Sequence, residues 1–309
     1  MFEIDSSRHS HLVDPHLHVW GWEVPVYLFL GGLAAGVMVL SSLLLAREGE
    51  RSRAARWLPF AAPILVSAGM LALFLDLEHK GLVWRFYLAF RWTSPMSWGA
   101  WILLLVYPFS LLVALAGLLD AEAEALAVRL GKAGSLVRRA RAFALARREP
   151  LRWANLATGI GLGLYTGVLL SALGARALWG SALLGPLFLV SGLSTGAAFL
   201  MLFRLAEGER RLLARWDLAA IAVEVAVILL FLVGLSTGSA ESGAAAQLLL
   251  GGRYTAEFWT LVVVVGLALP AVLAALEHRL HLKLTLVAPA LVLLGGLSLR
   301  FILVAAGQA

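Results

Sequence analysis

The chain alternates between long, unbroken apolar runs and short charged stretches. A membrane-spanning helix needs about 20 consecutive, mostly apolar residues. Eight runs meet that length, at 23–46, 57–79, 97–119, 153–174, 179–203, 217–237, 256–276 and 284–307. The pattern predicts an all-α, polytopic integral membrane protein forming a single transmembrane domain over 1–309. Its parts are a tail over 1–22, spans 1–3 over 23–119, a long loop over 120–152 and spans 4–8 over 153–307. Pro59 and Pro63 fall in the first turns of span 2, where a missing N–H costs little. Pro270 and Pro289 stand inside spans 7 and 8, which membrane helices tolerate when neighbours satisfy the freed carbonyls.

The charges between the runs orient the chain. Loops after spans 1, 3, 5 and 7 carry Arg47, Arg51, Arg53 and Arg56, then the arginine-rich 129–152 stretch, then Arg204, Arg210, Arg211 and Arg215, then Arg279 and Lys283. The opposite side holds only Arg8, Lys80, Arg85, Arg91, Arg176 and Arg253. The bias assigns the N-terminus, the 80–96 loop and the C-terminus to the non-cytoplasmic side. Trp20, Trp22, Trp57, Trp98, Trp101, Trp153, Trp179, Trp216 and Trp259 fall near span ends, as an interfacial aromatic belt requires. The 120–152 loop alternates apolar and basic positions and reads as a basic amphipathic helix lying on the inner leaflet.

Composition narrows the function. Of the 309 residues 61% are hydrophobic and only 14% charged, and a soluble domain is nearer a quarter charged. There is no cysteine, which excludes cysteine-ligated iron–sulfur clusters, disulfides and thiol catalysis within this chain. The basic balance belongs to the membrane-facing loops, where basic residues gather in a membrane protein, and not to nucleic-acid binding. Residues 1–19 are polar and His-rich, without the apolar core of a cleavable leader. None of the seven histidines lies in the interior of a span, His79 and His278 standing at ends, so haem ligation between spans is not expected. The N-terminal HSHLVDPHLH stretch has metal-ligand residue types but no enforced geometry; no metal site is assigned to it, and it reads as a solvated segment that docks on a partner.

Ionisable residues inside spans are expensive and point to function. Those that qualify are Glu23, Asp76, Glu78, Glu224, Glu257 and Arg300. Glu23 and Tyr27 are four residues apart and share a helix face. Asp76 is expected about 5 Å below the outer end of span 2, and Arg300 about 9 Å below that of span 8, so Asp76–Arg300 or Glu23–Arg300 pairing is open. Tyr165, about 14 Å deep, lies among the glycines of GIGLGLYTG. Glu224 has no predicted partner of opposite charge at its depth. The outer cluster on spans 1, 2, 4 and 8 suits the polar head of a quinone, whose carbonyls need hydrogen bonds and whose redox change needs proton transfer.

Four stretches carry a family resemblance: WEVPVYLFLGGLAAG (22–36), LDLEHKGLVWRFYLAFRWTSPMSWGAW (75–101), YTGVLLSALGARALWGSALLGPLFLVSGLSTGAA (165–198) and GGLSLRFILVAAGQ (295–308). Together they run from end to end, and the sequence resembles the polysulfide reductase membrane subunit family (NrfD/PsrC type). The resemblance implies two four-helix bundles in the cytoplasmic membrane of a prokaryote. It also implies an exchangeable quinone (menaquinone) near the outer surface, with an iron–sulfur, ferredoxin-like subunit docked there and a molybdopterin catalytic subunit beyond it, in a complex able to dimerise. The matching positions are Glu23, Tyr27, Asp76, Tyr165 and Arg300, with Trp20 added as a quinone contact. Some members carry Asn and His where this chain has Glu23 and Tyr27, so the base falls to Glu23 or Asp76, with Tyr27 or Tyr165 as donor. A proton path would use Glu224, Ser191, Ser194 and Thr195. The 80–96 loop, with Pro95, would form part of the docking face. A proton-coupled transporter and a structural anchor without a working site are the alternatives.

Overall fold

A computed structural model describes residues 20–48, 52–88, 90–172, 176–280 and 286–309. The N-terminal histidine stretch lies outside them. The described residues form helices throughout, with no strand among them. The principal ones are α1 (Glu23–Glu48), α2 (Ala61–Asp76), α3 (Pro95–Gly117), α4 (Asp120–Arg129), α5 (Gly134–Ala146) and α6 (Arg148–Ser171). They continue with α7 (Leu184–Met201), α8 (Glu207–Ser236), α9 (Ala240–Leu250), α10 (Leu269–Leu280) and α11 (Val287–Gln308). A π-helical segment, Phe258–Ala268, leads directly into α10. Eight helical stretches are long and apolar enough to cross a membrane, in agreement with the eight runs in the sequence.

α1 is the central helix. In its most apolar stretch 83% of residues are buried, against 22% for Thr255–Glu277, so the first span is enclosed and the seventh faces outward. It touches α2, α6, α7 and α11. Small residues make this possible. The backbones of α1 and α7 cross at Gly32, Gly36, Gly192 and Gly196, where an added Cβ would meet the opposing main chain. Gly266 and Gly295 make a similar approach between the π-helical segment and α11.

The described chain ends meet on one face. Trp20 N–H donates to Gln308 Oε1 at 2.9 Å, and Gln308 Nε2 donates back to Trp20 O at 3.1 Å. The Trp20 ring stacks on Trp179 at 5.1 Å, and Trp179 Nε1 donates to Leu303 O at 2.9 Å. We call this the terminal face, and the opposite one, bearing α4 and α5, the hairpin face.

Several element boundaries differ from the sequence expectation. Span 2 ends at Asp76 and not near 79, because Leu77 turns extended (φ −64°, ψ 125°). Asp76 therefore sits at the helix rim, and Glu78 and His79 lie beyond it and exposed. The sixth span begins at Glu207 and not at 217: Glu209 accepts from the Ala206 N–H at 3.0 Å and starts the helix ten residues earlier. The 120–152 loop holds two helices, α4 and α5, joined by a turn at Gly131 (φ 53°). Span 7 is π-helical over much of its length: Leu269 N–H reaches back to Val264 O, just before Pro270, which has no N–H to offer.

Candidate functional site

Four helical elements bring polar groups together near the terminal face. α1 supplies Glu23 and, one turn on, Tyr27, which is 2% exposed. α6 supplies Tyr165, also buried, and the two phenols lie close enough to interact. Room for Tyr165 comes from Gly99 on α3, where a Cβ would overlap the phenol ring. Gly69 on α2 likewise lets that helix pass against Tyr27. Asp76, at the end of α2, lies within electrostatic range of Glu23. Beyond it a cavity of about 690 Å³ is bounded by Leu77–His79, Leu82, Arg85, Arg91, Ser94, Met96 and Ser97.

Tyr87, which the sequence reading missed, also belongs to this cluster. It sits on the short helix Arg85–Leu88, within range of both Tyr27 and Tyr107, and burial among them raises its pKa. Tyr107 in turn shares a 2.9 Å hydrogen bond with Ser67. The result is a set of phenols with carboxylates at its rim. Such a set can hydrogen-bond carbonyl oxygens and exchange protons with them.

A second polar cluster lies deeper, and it corrects two expectations. Arg300 does not pair with Asp76 or Glu23. Its side chain is wholly buried, with Nη1 donating to Ser191 Oγ at 2.5 Å and to Gly296 O at 3.0 Å, and Nη2 donating to Phe188 O at 3.3 Å. The guanidinium lies over the Phe188 ring, 4.9 Å from its centroid. Gly32 and Gly296 leave it the space. Glu224 has an opposite-charge neighbour after all: it faces both Ser191 and Arg300. Depth from each helix end had matched Arg300 to the wrong carboxylates, because it ignores which way the helix is turned. α11 aims Arg300 at α7 and α8, and Gly32 of α1 passes beside its guanidinium.

One helical turn and more away, Ser194 donates to Asp217 at 2.6 Å, and Asp217 is within range of Glu224 on the same face of α8. Asp217 was placed at a span end by the sequence and is instead buried inside α8. Thr195 turns back into its own helix, donating to Ser191 O at 2.9 Å. Trp20 is engaged with Trp179 and Gln308. Glu257 borders a separate groove of about 290 Å³ between Tyr254 and α11. Among the described residues no group of three or more His, Asp or Glu side chains could hold a metal ion. A further buried knot, also missed, ties the hairpin-side halves of α1, α3 and α6: Asn155 donates to Met38 O and Ser42 Oγ and accepts from Ser110.

Comparison with known proteins covers nearly the whole length of the protein. The C subunit of polysulfide reductase from Wolinella succinogenes is 33% identical over 307 residues, spanning 94% of both sequences. The NrfD protein of Escherichia coli K12 is 31% identical over 304 residues, spanning 94% of this chain and 95% of its own. An NrfD homolog from Haemophilus influenzae is 26% identical over 304 residues. The profile of the family described as "Polysulphide reductase, NrfD" matches residues 9–309, which takes in both polar clusters and all eight spans. With its helices, its spans and its sequence in agreement, the chain belongs to the NrfD family of polysulphide reductase membrane proteins.

Proposed function

We propose that this chain is the quinone-reactive membrane subunit of a multi-subunit oxidoreductase. The buried Tyr27–Tyr165 pair beside Asp76 and Glu23 is the observation that carries the reading. A quinone, such as a menaquinone, takes up two electrons and two protons when reduced and gives them back when oxidised. In this reading Tyr27 and Tyr165 donate hydrogen bonds to its carbonyls, and Asp76 or Glu23 exchanges the protons at the rim. The neighbouring cavity, about 690 Å³, is of the size that encloses a small ligand's head group.

Electrons would pass to or from a ferredoxin-like iron–sulfur subunit, with a molybdopterin catalytic subunit beyond it. The exposed Trp84, Leu88 and Trp92, interleaved with Lys80, Arg85 and Arg91, suit a docking face for that partner. The terminal face would then be non-cytoplasmic, as the basic loops imply. The helices would form two bundles, spans 1–4 and spans 5–8, joined where α1 and α6 meet α7. Two relatives named for a polysulfide reductase and for NrfD support this reading.

Proton transfer toward the hairpin face is a further part of the proposal. Arg300, Ser191 and Glu224 adjoin one another, and Asp217 with Ser194 continues the series. Thr195, whose hydroxyl donates to Ser191 O and can still accept a hydrogen bond, is a further candidate step. The test of the quinone reading is quinol oxidation by the assembled complex. Tyr165→Phe and Asp76→Asn should each lower turnover at least about tenfold, the usual scale for a removed proton donor or acceptor. Full turnover in both would sink the site assignment. Glu224→Gln should lower the proton-to-electron ratio and leave quinol binding intact.

A further inference from the structure

The hairpin α4–α5 cannot leave the membrane surface. Only Leu118 and Leu119 separate α3 from α4, and only Arg147 separates α5 from α6. The depth of the hairpin is also fixed. Trp57, half exposed at the start of the second span, donates its indole N–H to Glu122 of α4 at 3.3 Å, and Arg56 grips the same carboxylate with two bonds of 2.9 Å. An exposed indole at a span end belongs in the headgroup layer. α4 is tied to that level, and α5 packs beside it through Val137 and Ala140 against Leu118 and Ala123.

The carboxylates of the hairpin are taken. Asp120 pairs with Arg141, Glu122 with Arg56 and Glu124 with Arg138. Along an adjoining shoulder of α5 run Leu136, Arg139 and Phe143, spaced by three or four residues, and Lys132 in the turn before the helix and Arg147 just after it extend the same spacing into one stripe. Leu136 is 68% exposed and Phe143 54%. Among the described residues Lys132, Arg139 and Arg147 have no carboxylate partner. Cations alternating with large apolar groups, at headgroup depth, match a surface of phosphates over acyl chains. A soluble acidic partner would leave Leu136 and Phe143 without a purpose.

We propose that this stripe binds anionic phospholipid, with Lys132, Arg139 and Arg147 on the phosphates and Leu136 and Phe143 among the upper acyl carbons. The proposal stands apart from the quinone reading. Because the chain has no cysteine, single cysteines can be spin-labelled cleanly. Labels at Leu136→Cys and Phe143→Cys, in bilayers containing phosphatidylglycerol, should collide more with oxygen than with a water-soluble nickel chelate. A label at Ala142→Cys, exposed on the other shoulder, should do the reverse. Native mass spectrometry of the detergent-solubilised chain supplies the second readout. Changing Lys132, Arg139 and Arg147 to Gln should weaken phosphatidylglycerol retention on the order of a hundredfold, given three surface cations. Nickel-favoured collisions at both stripe positions would overturn the proposal, and so would unchanged lipid retention in the triple variant.

Discussion

Gly99→Ala tests whether the tyrosine pair is held in place by its surroundings. In an ordinary helix interior this change stabilises by about 1 kcal/mol, because alanine has less backbone freedom to lose. At Gly99 the new methyl would overlap the ring and hydroxyl of Tyr165, which is only 6% exposed and has no open side to retreat to. Overfilling a packed core costs about 1–3 kcal/mol. The two terms leave a net loss between about 0 and 2 kcal/mol. The stability change is thus modest, and the positional change is the larger effect: the phenol must swing away from Tyr27, or α3 must withdraw from α6. Thermal unfolding of the purified chain reads the first quantity, and quinol oxidation by the assembled complex reads the second. Turnover should fall about as far as in Tyr165→Phe. Gly234→Ala, on α8 with nothing near its Cβ position, should keep full turnover and equal or higher stability. A Gly99→Ala protein that is more stable and fully active would refute the claim that Tyr165 is rigidly positioned.

Three other outcomes follow from the polar contacts. Arg56, with help from Leu119 N–H and Trp57, holds the Glu122 carboxyl at about 2, well below its ordinary value. A depressed carboxylate stabilises fully above its unfolded pKa and loses that stabilisation as pH falls through the folded one. Glu122→Gln should therefore cost roughly 1–2 kcal/mol at pH 7, after allowance for its partial exposure, and its melting curve should converge with the parent's between about pH 4.5 and 2. Arg300→Gln should destabilise by about 3–5 kcal/mol, since Glu224 would lose its buried counter-charge, and adding Glu224→Gln should restore much of the loss; strictly additive losses in that cycle would show the two groups to be uncoupled. Asn155→Leu should cost about 1–3 kcal/mol by leaving the Ser110 hydroxyl without its acceptor, while Ser42 keeps its own bond to Met38 O, with no change in the Michaelis constant for quinol.

The number and order of the spans were legible because apolar length and loop charge are summed over many residues, so single errors cancel. Boundaries were not. The first turns of α8 carry Glu207, Glu209, Arg210 and Arg211, which hide a helix start from a hydropathy reading. The signal that could have found it is the stripe Glu209, Leu213, Asp217, Ile221, Glu224, buried at helical spacing. Glu23, Tyr27, Asp76 and Tyr165 were found as chemically unusual residues for their positions. Tyr87 was not, because a four-residue helix in a loop leaves no periodic trace. Asn155 was passed over because it is uncharged and lies two residues from an interfacial tryptophan. Arg300 was recognised but mispaired, since partner choice depends on helix rotation about its own axis, which depth alone does not give; Gly32 and Gly296 leave room for the guanidinium where it points.

The enclosed position of α1 has a consequence for biogenesis. It is the first described span to be synthesised, yet two of its principal neighbours, α7 and α11, emerge much later. Until they arrive, its glycine-lined side must wait against lipid or a chaperone. The Trp20–Gln308 clasp closes only when the last helix has docked. A ribosome that stalls before α11 therefore leaves the centre of the protein unsealed. Such a nascent protein has Ser191 and Glu224 in place without Arg300, which arrives only with α11.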